Sequence, residues 1–342
     1  MTPATEVDDL HTGTAQGRRE PTPTGRTPGA LSVLSRLTGP VLLALFVLFF
    51  ALTIPSTFLT SATFASIAGD QAVTLVLALG VLITLAAGQF DLSAAQNLGL
   101  SAVVGAQLMV KFEVNPVLAV LITLCCGLLI GLVNGVIVTV IGVNSFIATL
   151  GMSSILLALT TLVSRSQFVG PAPTGFSDLA GYSPLGLPVP AVYAVVLALL
   201  VWVGLEHTAG GRRTYAVGAN AEAARFSGVR TKPYVLTSFV LTGLLASLAG
   251  LLAAASTGTV APSLGPAYLL PSFAAVFLGT TQFKVGRLNV WGAVVALYLL
   301  ATGVKGLQLM GAQLWVTDLF NGIALIGAVG VAVVIGRRKL QT

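Results

Sequence analysis

Long apolar segments recur along the chain from residue 39 to residue 336, separated by short polar or glycine-rich connections. Single runs reach about 20 residues, the length that an α-helix needs to cross the hydrocarbon core of a bilayer. Because the apolar positions are continuous and do not alternate, the pattern favours helices over the strands of a β-barrel. We therefore predict an all-α integral membrane protein with ten transmembrane spans, at 39–58, 66–88, 93–110, 116–141, 146–163, 189–206, 234–255, 269–283, 288–309 and 317–336.

The predicted spans are not all alike. The third, fifth and eighth (93–110, 146–163 and 269–283) are short or contain several polar residues, so we expect some helices to be broken or re-entrant. Residues 1–36 are polar and rich in Pro, Thr and Gly, which predicts a disordered tail. The chain is thus divided into this tail, a membrane domain at 37–336 and a basic end at 337–342.

Composition supports this assignment, and charge adds an orientation. Hydrophobic residues make up 55% of the 342 and charged residues 8%, against about 25% charged in soluble domains. With ten spans and a cytoplasmic N-terminus, fourteen of the 17 basic residues fall on the cytoplasmic side, as the positive-inside rule requires. Both termini are therefore predicted to be cytoplasmic. The net charge of +6 then indicates orientation in the membrane and no binding of nucleic acid.

The largest predicted cytoplasmic loop, 207–232, contains the segment NAEAARFSG at 220–228. Asn220 is a favourable N-cap, Glu222 lies in the first turn, Ala223 and Ala224 favour helix, and Gly228 is placed to end it. The segment predicts a helix of about two turns, which needs packing partners because isolated helices of this length are marginal. Arg225 offers a charge to such a partner, and Phe226 offers an apolar anchor. On physics alone, a plain connecting loop remains an equal alternative. On the opposite side, the Pro- and Gly-rich stretch 164–190 predicts a long external loop.

Polar side chains within the spans suggest a path for a solute. Asp91 is the one acidic residue well inside the apolar region, where a carboxylate is costly and usually functional. Yet DLS at the start of a polar helix is also an N-cap signature, and both roles can coexist. The neutral residues are Gln96, Asn97, Gln107, Asn134, Gln308 and Asn321. Each could simply bond a neighbouring helix, but as a set they fit a pathway for an uncharged solute.

Several functions lack the residues they would need. The chain has no GxxxxGK[ST] motif and no Gly-Lys pair, so we expect it to bind no ATP itself. Asp91 has no acidic or histidine neighbour in sequence, which argues against an intramembrane enzyme. The adjacent cysteines Cys125 and Cys126 and the separated histidines His11 and His207 make a metal site improbable.

Four ordered blocks resemble the permeases of monosaccharide ABC importers of the ribose, xylose and galactose type. They are GQFDLSAAQNLGLSAVVGAQL (88–108), NGVIVTVIGVNSFIATLGMSSI (134–155), VGANAEAARFSGV (217–229) and VFLGTTQFKVGRLNVWGAVV (276–295). The resemblance extends over about 40–336. The chain departs from the family where it has GQFD in place of GGID, NSF in place of a Pro-rich triplet and TTQFKVGR in place of a glycine-rich run.

The resemblance implies a permease subunit in the bacterial inner membrane that imports a monosaccharide or related polyol. It also implies partners: an ATPase subunit that binds ATP and Mg²⁺, a second permease copy or sister permease, and an extracytoplasmic sugar-binding protein. The segment 220–228 would then be the ATPase-coupling helix, with Asn220, Glu222, Ala223, Ala224, Arg225, Phe226 and Gly228 as its contact and capping residues. The alternative from another class is a secondary transporter driven by an ion gradient, which usually needs titratable groups at mid-depth.

Overall fold

The computed structural model describes residues 38–181, 186–313 and 315–340, so the predicted tail at 1–36 lies outside the described residues. The described part is helical, with one isolated β-bridge between Val169 and Val260. The helices are α1 Thr38–Thr53, α2 Pro55–Phe58, α3 Ser61–Ala86, α4 Ala94–Val110, α5 Pro116–Val136, α6 Ser145–Ser164, α7 Thr174–Gly181, α8 Val189–Trp202, α9 Ala209–Ala219, α10 Ala221–Phe226, α11 Thr231–Thr257, α12 Pro266–Gly279, α13 Val290–Leu309 and α14 Trp315–Leu340. Short π-helical turns extend α5 over Ile137–Ile141 and α8 over Val203–His207.

Several of these helices begin at a polar cap that the sequence supplies. The side chains of Thr60, Asn115, Asn144 and Asn289 each accept a hydrogen bond from a backbone N–H in the first turn of α3, α5, α6 and α13. Such caps satisfy donors that would otherwise lack partners at a helix start. These helix starts are therefore defined by residues of the same local segment.

Helices α3 and α11 form the centre of the molecule. Helix α11 packs against α3, α4 and α5, and α3 also contacts α8, α12 and α13. The approach of α5 to α11 is close because α5 presents glycines: a Cβ at Gly131 would lie 2.3 Å from the carbonyl oxygen of Phe239. Small residues at such crossings are typical of membrane helices, which associate through close packing. On the other side of α3, α12 packs with α13 and α14.

Six helices of the described part are long and apolar enough to cross a membrane: Ser61–Ala86, Pro116–Ile141, Ser145–Ser164, Val189–His207, Thr231–Thr257 and Val290–Leu309. Four shorter apolar stretches coincide with the remaining predicted spans: Thr38–Thr53, Ala94–Val110, Pro266–Gly279 and Trp315–Ala328. An all-α, multi-pass membrane protein is therefore confirmed, while the count of ten crossings stays a prediction. The fifth predicted span, expected to be irregular, is one continuous helix, α6.

Candidate functional site

The segment that the sequence singled out folds as a compact turn between α8 and α11. Thr208 caps α9, its hydroxyl accepting from the N–H of Gly211 at 3.0 Å. Asn220 ends α9 and caps α10, its Oδ1 accepting from the N–H of Ala223 at 2.9 Å. The predicted short helix is thus present, over Ala221–Phe226.

Gly228 ends α10 in the way that the sequence predicts. Its φ of +81° lies in the left-handed region that glycine tolerates and most residues do not. The N–H of Gly228 donates to the carbonyl of Arg225, and the N–H of Val229 donates to the carbonyl of Ala224, both at 3.0 Å. This pair of bonds is the Schellman arrangement, which satisfies carbonyls at the helix end.

One face of α10 is exposed and the other is packed. Glu222, Ala223, Arg225 and Phe226 are exposed, and Phe226 is 84% accessible with the Arg225 guanidinium 5.9 Å from its ring centroid. An aromatic ring held this far into solvent on a capped helix is the type of anchor found at protein interfaces.

Ala224, which the sequence also placed at the coupling contact, does not lie on the exposed face of α10. It is only 6% exposed and belongs to a small apolar cluster of the chain itself, with Val217, Val235 and Phe239. Helical periodicity explains the difference, because Ala223 and Ala224 point about 100° apart around the helix axis.

Helix α9 touches the end of α3 through glycine. A Cβ at Gly218 would lie 2.2 Å from the carbonyl oxygen of Ala86 and 2.8 Å from the backbone nitrogen of Gly88. Gly88 itself has a φ of +76° and lies in the non-helical segment between α3 and α4. The backbones of α9 and of this segment are therefore in direct contact, with no side chain between them.

The same helix also holds the loop between α12 and α13. The hydroxyl of Tyr215 donates to the carbonyl oxygen of Leu288 at 2.9 Å, and the Arg287 guanidinium lies 4.2 Å from the Tyr215 ring centroid. Burial raises the pKa of Tyr215 to about 12, so its hydroxyl stays protonated and remains a donor. Lys284 of the loop forms an ion pair with Glu206 in the π-helical turn before α9.

Between α3 and α4 the chain leaves the helical conformation, and α6 supports it there. The N–H groups of Phe90 and Leu92 donate to the hydroxyls of Ser145 and Thr149, at 3.2 and 3.1 Å. Ser145 and Thr149 are one helical turn apart, so they face the same side of α6. We name residues 87–93, together with the side chains of Ser145 and Thr149 that support them, the α3–α4 break.

Asp91 is buried within the α3–α4 break. Its Oδ1 accepts from the N–H of Ser93 at 3.0 Å and from the Ser93 hydroxyl at 2.6 Å. Asn134 of α5 donates its Nδ2 to the Ser93 hydroxyl at 2.8 Å. The carboxylate therefore stabilises the turn that leads into α4, while Ser93 occupies the N-cap position itself and makes no side-chain cap bond.

The other predicted pathway residues do not form one cluster. Asn97 donates to the carbonyl oxygen of Gly243 at 3.2 Å, which is a bond between α4 and α11. Gln96 and Asn134 are buried, and among the described residues the Oε1 of Gln96 and the Oδ1 of Asn134 have no partner. Asn321 is buried on α14, which packs on α12 and α13.

Sequence analysis missed an aromatic group beside Asp91. The Phe90 ring is 39% exposed, stacks on Phe273 of α12 at 6.5 Å between centroids, and meets Phe146 of α6 edge-on at 6.4 Å. The three rings come from distant parts of the chain. The available signal was the Ser145 and Thr149 pair at helical spacing, which predicts a polar stripe on α6 facing another element.

The structure is a polytopic helical bundle with a buried polar break. Direct contacts join this break to the segment between α8 and α11 that carries an exposed, capped helix. Together these features define a membrane permease of the transporter class. The chain belongs to the family described as the branched-chain amino acid transport system, permease component, whose model matches residues 63–329. The chain is a permease subunit of an ABC importer, and its ATPase is a separate subunit. The comparisons do not favour the ion-gradient alternative.

Several curated relatives are similar over most of their length. The ribose import permease protein of Escherichia coli strain K12 is 33% identical over 81% of this chain and 87% of its own. The D-allose transport system permease protein of the same strain is 30% identical over 84% and 88%. An autoinducer 2 import system permease protein of Yersinia enterocolitica is 30% identical over 77% and 79%. No solved structure matches the chain.

Proposed function

We propose that the chain imports a monosaccharide or a related polyol. The relatives named for ribose, D-allose and autoinducer 2 support this class of solute, although the family's description names branched-chain amino acids. The buried polar side chains near the α3–α4 break are mostly neutral amides and hydroxyls, which suit a solute rich in hydroxyl groups. An amino acid would bring two charges, and the one carboxylate that is buried among the described residues, that of Asp91, is already bonded to Ser93.

The proposed topology has ten crossings, with both termini and the loop 207–232 in the cytoplasm and the loop 164–190 outside. It is supported by the basic residues near α9 and α10, which are Arg212, Arg213, Arg225, Arg230, Lys232, Lys284 and Arg287. Lys and Arg accumulate on the cytoplasmic side of membrane proteins. By analogy with the importers named above, the membrane is the bacterial inner membrane.

The proposed assembly contains this chain, a second copy or sister permease, an ATPase that binds ATP and Mg²⁺, and an extracytoplasmic binding protein. The absence of a phosphate-binding loop in the sequence supports a separate ATPase. In this proposal the exposed side of α10 docks into the ATPase through Glu222, Ala223, Arg225 and Phe226. Asn220 and Gly228 hold the helix in shape.

Movement of the ATPase would reach the pathway through α9. This helix makes backbone contact with the start of the α3–α4 break at Gly218 and holds the α12–α13 loop at Tyr215. A rigid displacement of α10 therefore shifts both segments together, and with them Asp91, Asn134 and the Phe90 ring. Gln96, Asn97 and Asn321 complete the proposed path.

The observation that carries the proposal is the 84% exposure of Phe226 on a doubly capped helix. Phe226→Ala should reduce co-purification of the ATPase and abolish solute uptake, because an aromatic interface anchor contributes on the order of 2 kcal/mol or more. Membrane abundance should stay normal, since the ring is largely exposed and its cation–π contact is with the neighbouring Arg225.

The matched control is Phe168→Ala, which removes another ring, 73% exposed, in the loop before α7. This variant should retain the ATPase. Normal ATPase co-purification and uptake by Phe226→Ala would contradict the coupling role of α10.

A further inference from the structure

An apolar groove of about 600 Å³ runs between α8 and α11, with Ile83 of α3 also in its lining. Its walls include Leu197, Leu200 and Val201 of α8 and Leu241, Leu244 and Leu245 of α11. The polar side chains of its lining lie toward the end near α9, and they are Thr208, Thr214, Tyr234, Thr237 and Ser238. We call this feature the α8–α11 groove.

The groove exists because its wall contains small residues. A Cβ at Gly204, in the π-helical turn, would meet no atom within 4 Å, and one at Gly210 would meet only the Thr208 hydroxyl at 3.5 Å. Leu200 and Leu241 at its rim are 62% and 40% exposed. The groove therefore opens on the apolar outer surface of the bundle, which in a membrane faces acyl chains.

The length of the groove fits an acyl chain. From Tyr234 to Leu245 the groove follows α11 for roughly 17 Å at the rise of an α-helix, close to half of the roughly 30 Å hydrocarbon core. That length matches the part of one acyl chain that lies within a single leaflet of the bilayer.

The polar end of the groove carries positive charge. The Arg213 guanidinium donates to the Tyr234 hydroxyl at 3.0 Å, which fixes it beside the groove, and Arg212 is exposed next to it. A guanidinium has five N–H donors in a planar arrangement that suits phosphate oxygens, and one bond to Tyr234 leaves donors for a second partner. The charge is complementary to an anionic head group.

We propose that the α8–α11 groove binds an acyl chain of an anionic phospholipid, with the lipid phosphate at Arg213. Gly211 and Thr214 of α9 also line the groove, so the bound lipid braces the helix that carries α10. The binding claim is independent of the proposed transport function. Only this bracing effect on coupling rests on that function.

The test uses the purified full-length chain, stripped of lipid and then supplied with phosphatidylglycerol or phosphatidylethanolamine of identical acyl chains, with retained lipid counted by native mass spectrometry. Gly204→Leu fills the groove and should lower retention of both lipids roughly tenfold, the effect of excluding about two methylenes. Gly151→Leu is the matched control, because a Cβ there also meets no atom within 4 Å and Gly151 lies on exposed α6, away from the groove.

Arg213→Gln tests the head group. It should keep the acyl chain but reduce the preference for phosphatidylglycerol over phosphatidylethanolamine roughly fivefold, the contribution of one basic residue near a lipid surface. The melting temperature of each variant, measured on the same samples, should match that of the wild type, so that a loss of lipid is not a loss of fold.

Equal lipid retention by Gly204→Leu and Gly151→Leu would overturn the proposal, since the lipid would then be a general annular layer. Cross-linking between two copies through cysteine at Leu241, with lipid excluded, would also overturn it and assign the groove to a protein interface. A wild-type complex that retains phosphatidylglycerol but imports no sugar would count against the proposed function and leave the lipid site standing.

Discussion

At the scale of single residues, Asp91 has two candidate roles, which are to stabilise the turn before α4 and to act on the solute. Its contacts help to separate them. Its Oδ1 accepts from both the N–H and the hydroxyl of Ser93, and Asn134 donates to the same hydroxyl. These bonds need an acceptor oxygen, which an amide also has, and do not require a negative charge. The local geometry thus favours a turn-stabilising role for the side chain.

Asp91→Asn should therefore preserve membrane abundance and most uptake, whereas Asp91→Ala should destabilise the protein by about 1 kcal/mol, as loss of a capping side chain does. Thermal unfolding and sugar uptake measured on both variants check this. Loss of uptake in Asp91→Asn at an unchanged melting temperature would show instead that the charge itself acts on the solute.

At the scale of elements, α9 is the proposed connection between α10, the proposed coupling helix, and the α3–α4 break. The contact at Gly218 is between the backbones of α9 and of the end of α3. A displacement of α9 would therefore act on α3 directly, with no flexible side chain between them. The second connection, from Tyr215 to Leu288, joins the α12–α13 loop to the same helix. A single short helix therefore reaches both segments that flank the proposed path.

Gly218→Ala should separate α9 from α3, because its methyl would lie 2.2 Å from the carbonyl oxygen of Ala86. Overpacking of this kind costs roughly 1–3 kcal/mol. We expect the ATPase to remain bound while uptake and solute-stimulated ATP hydrolysis are lost. Gly210→Ala on the same helix is the control, since its methyl meets only the Thr208 hydroxyl at 3.5 Å. Equal uptake by the two variants would refute transmission through this contact.

At the scale of the whole molecule, the proposed topology places α9 and α10 in the cytoplasm and the α11–α12 connection outside. Ser263 and Ala219 are exposed and lie in these two regions. Cysteine at Ser263 should react with a membrane-impermeant reagent from outside, and cysteine at Ala219 only after the membrane is opened. Cys125 and Cys126 are replaced first, because both are free thiols. Reaction of the Ala219 cysteine in intact cells would invalidate both the span count and the coupling proposal.

The sequence by itself determined the class of this protein and the local form of the segment 220–228. Continuous apolar runs of this length and number can be buried only in a membrane. Ten such runs coincide with apolar helices of the structure. The caps at Asn220 and Gly228 depend on residues within the same short segment. Helix propensity and capping rules therefore predict α10 at the place where the structure has it.

Only the tertiary structure decided which surfaces meet. The inward direction of Ala224 follows from its packing on Val217, Val235 and Phe239, so a bulky residue there would strain the chain's own core and could not report on a partner. The contact of Gly218 with Ala86 joins residues 132 apart, and the Phe90 ring meets Phe146 and Phe273 from two other helices. No local pattern encodes these contacts, because they depend on how the helices pack, and that arrangement is set by the sum of many small packing energies along the whole chain.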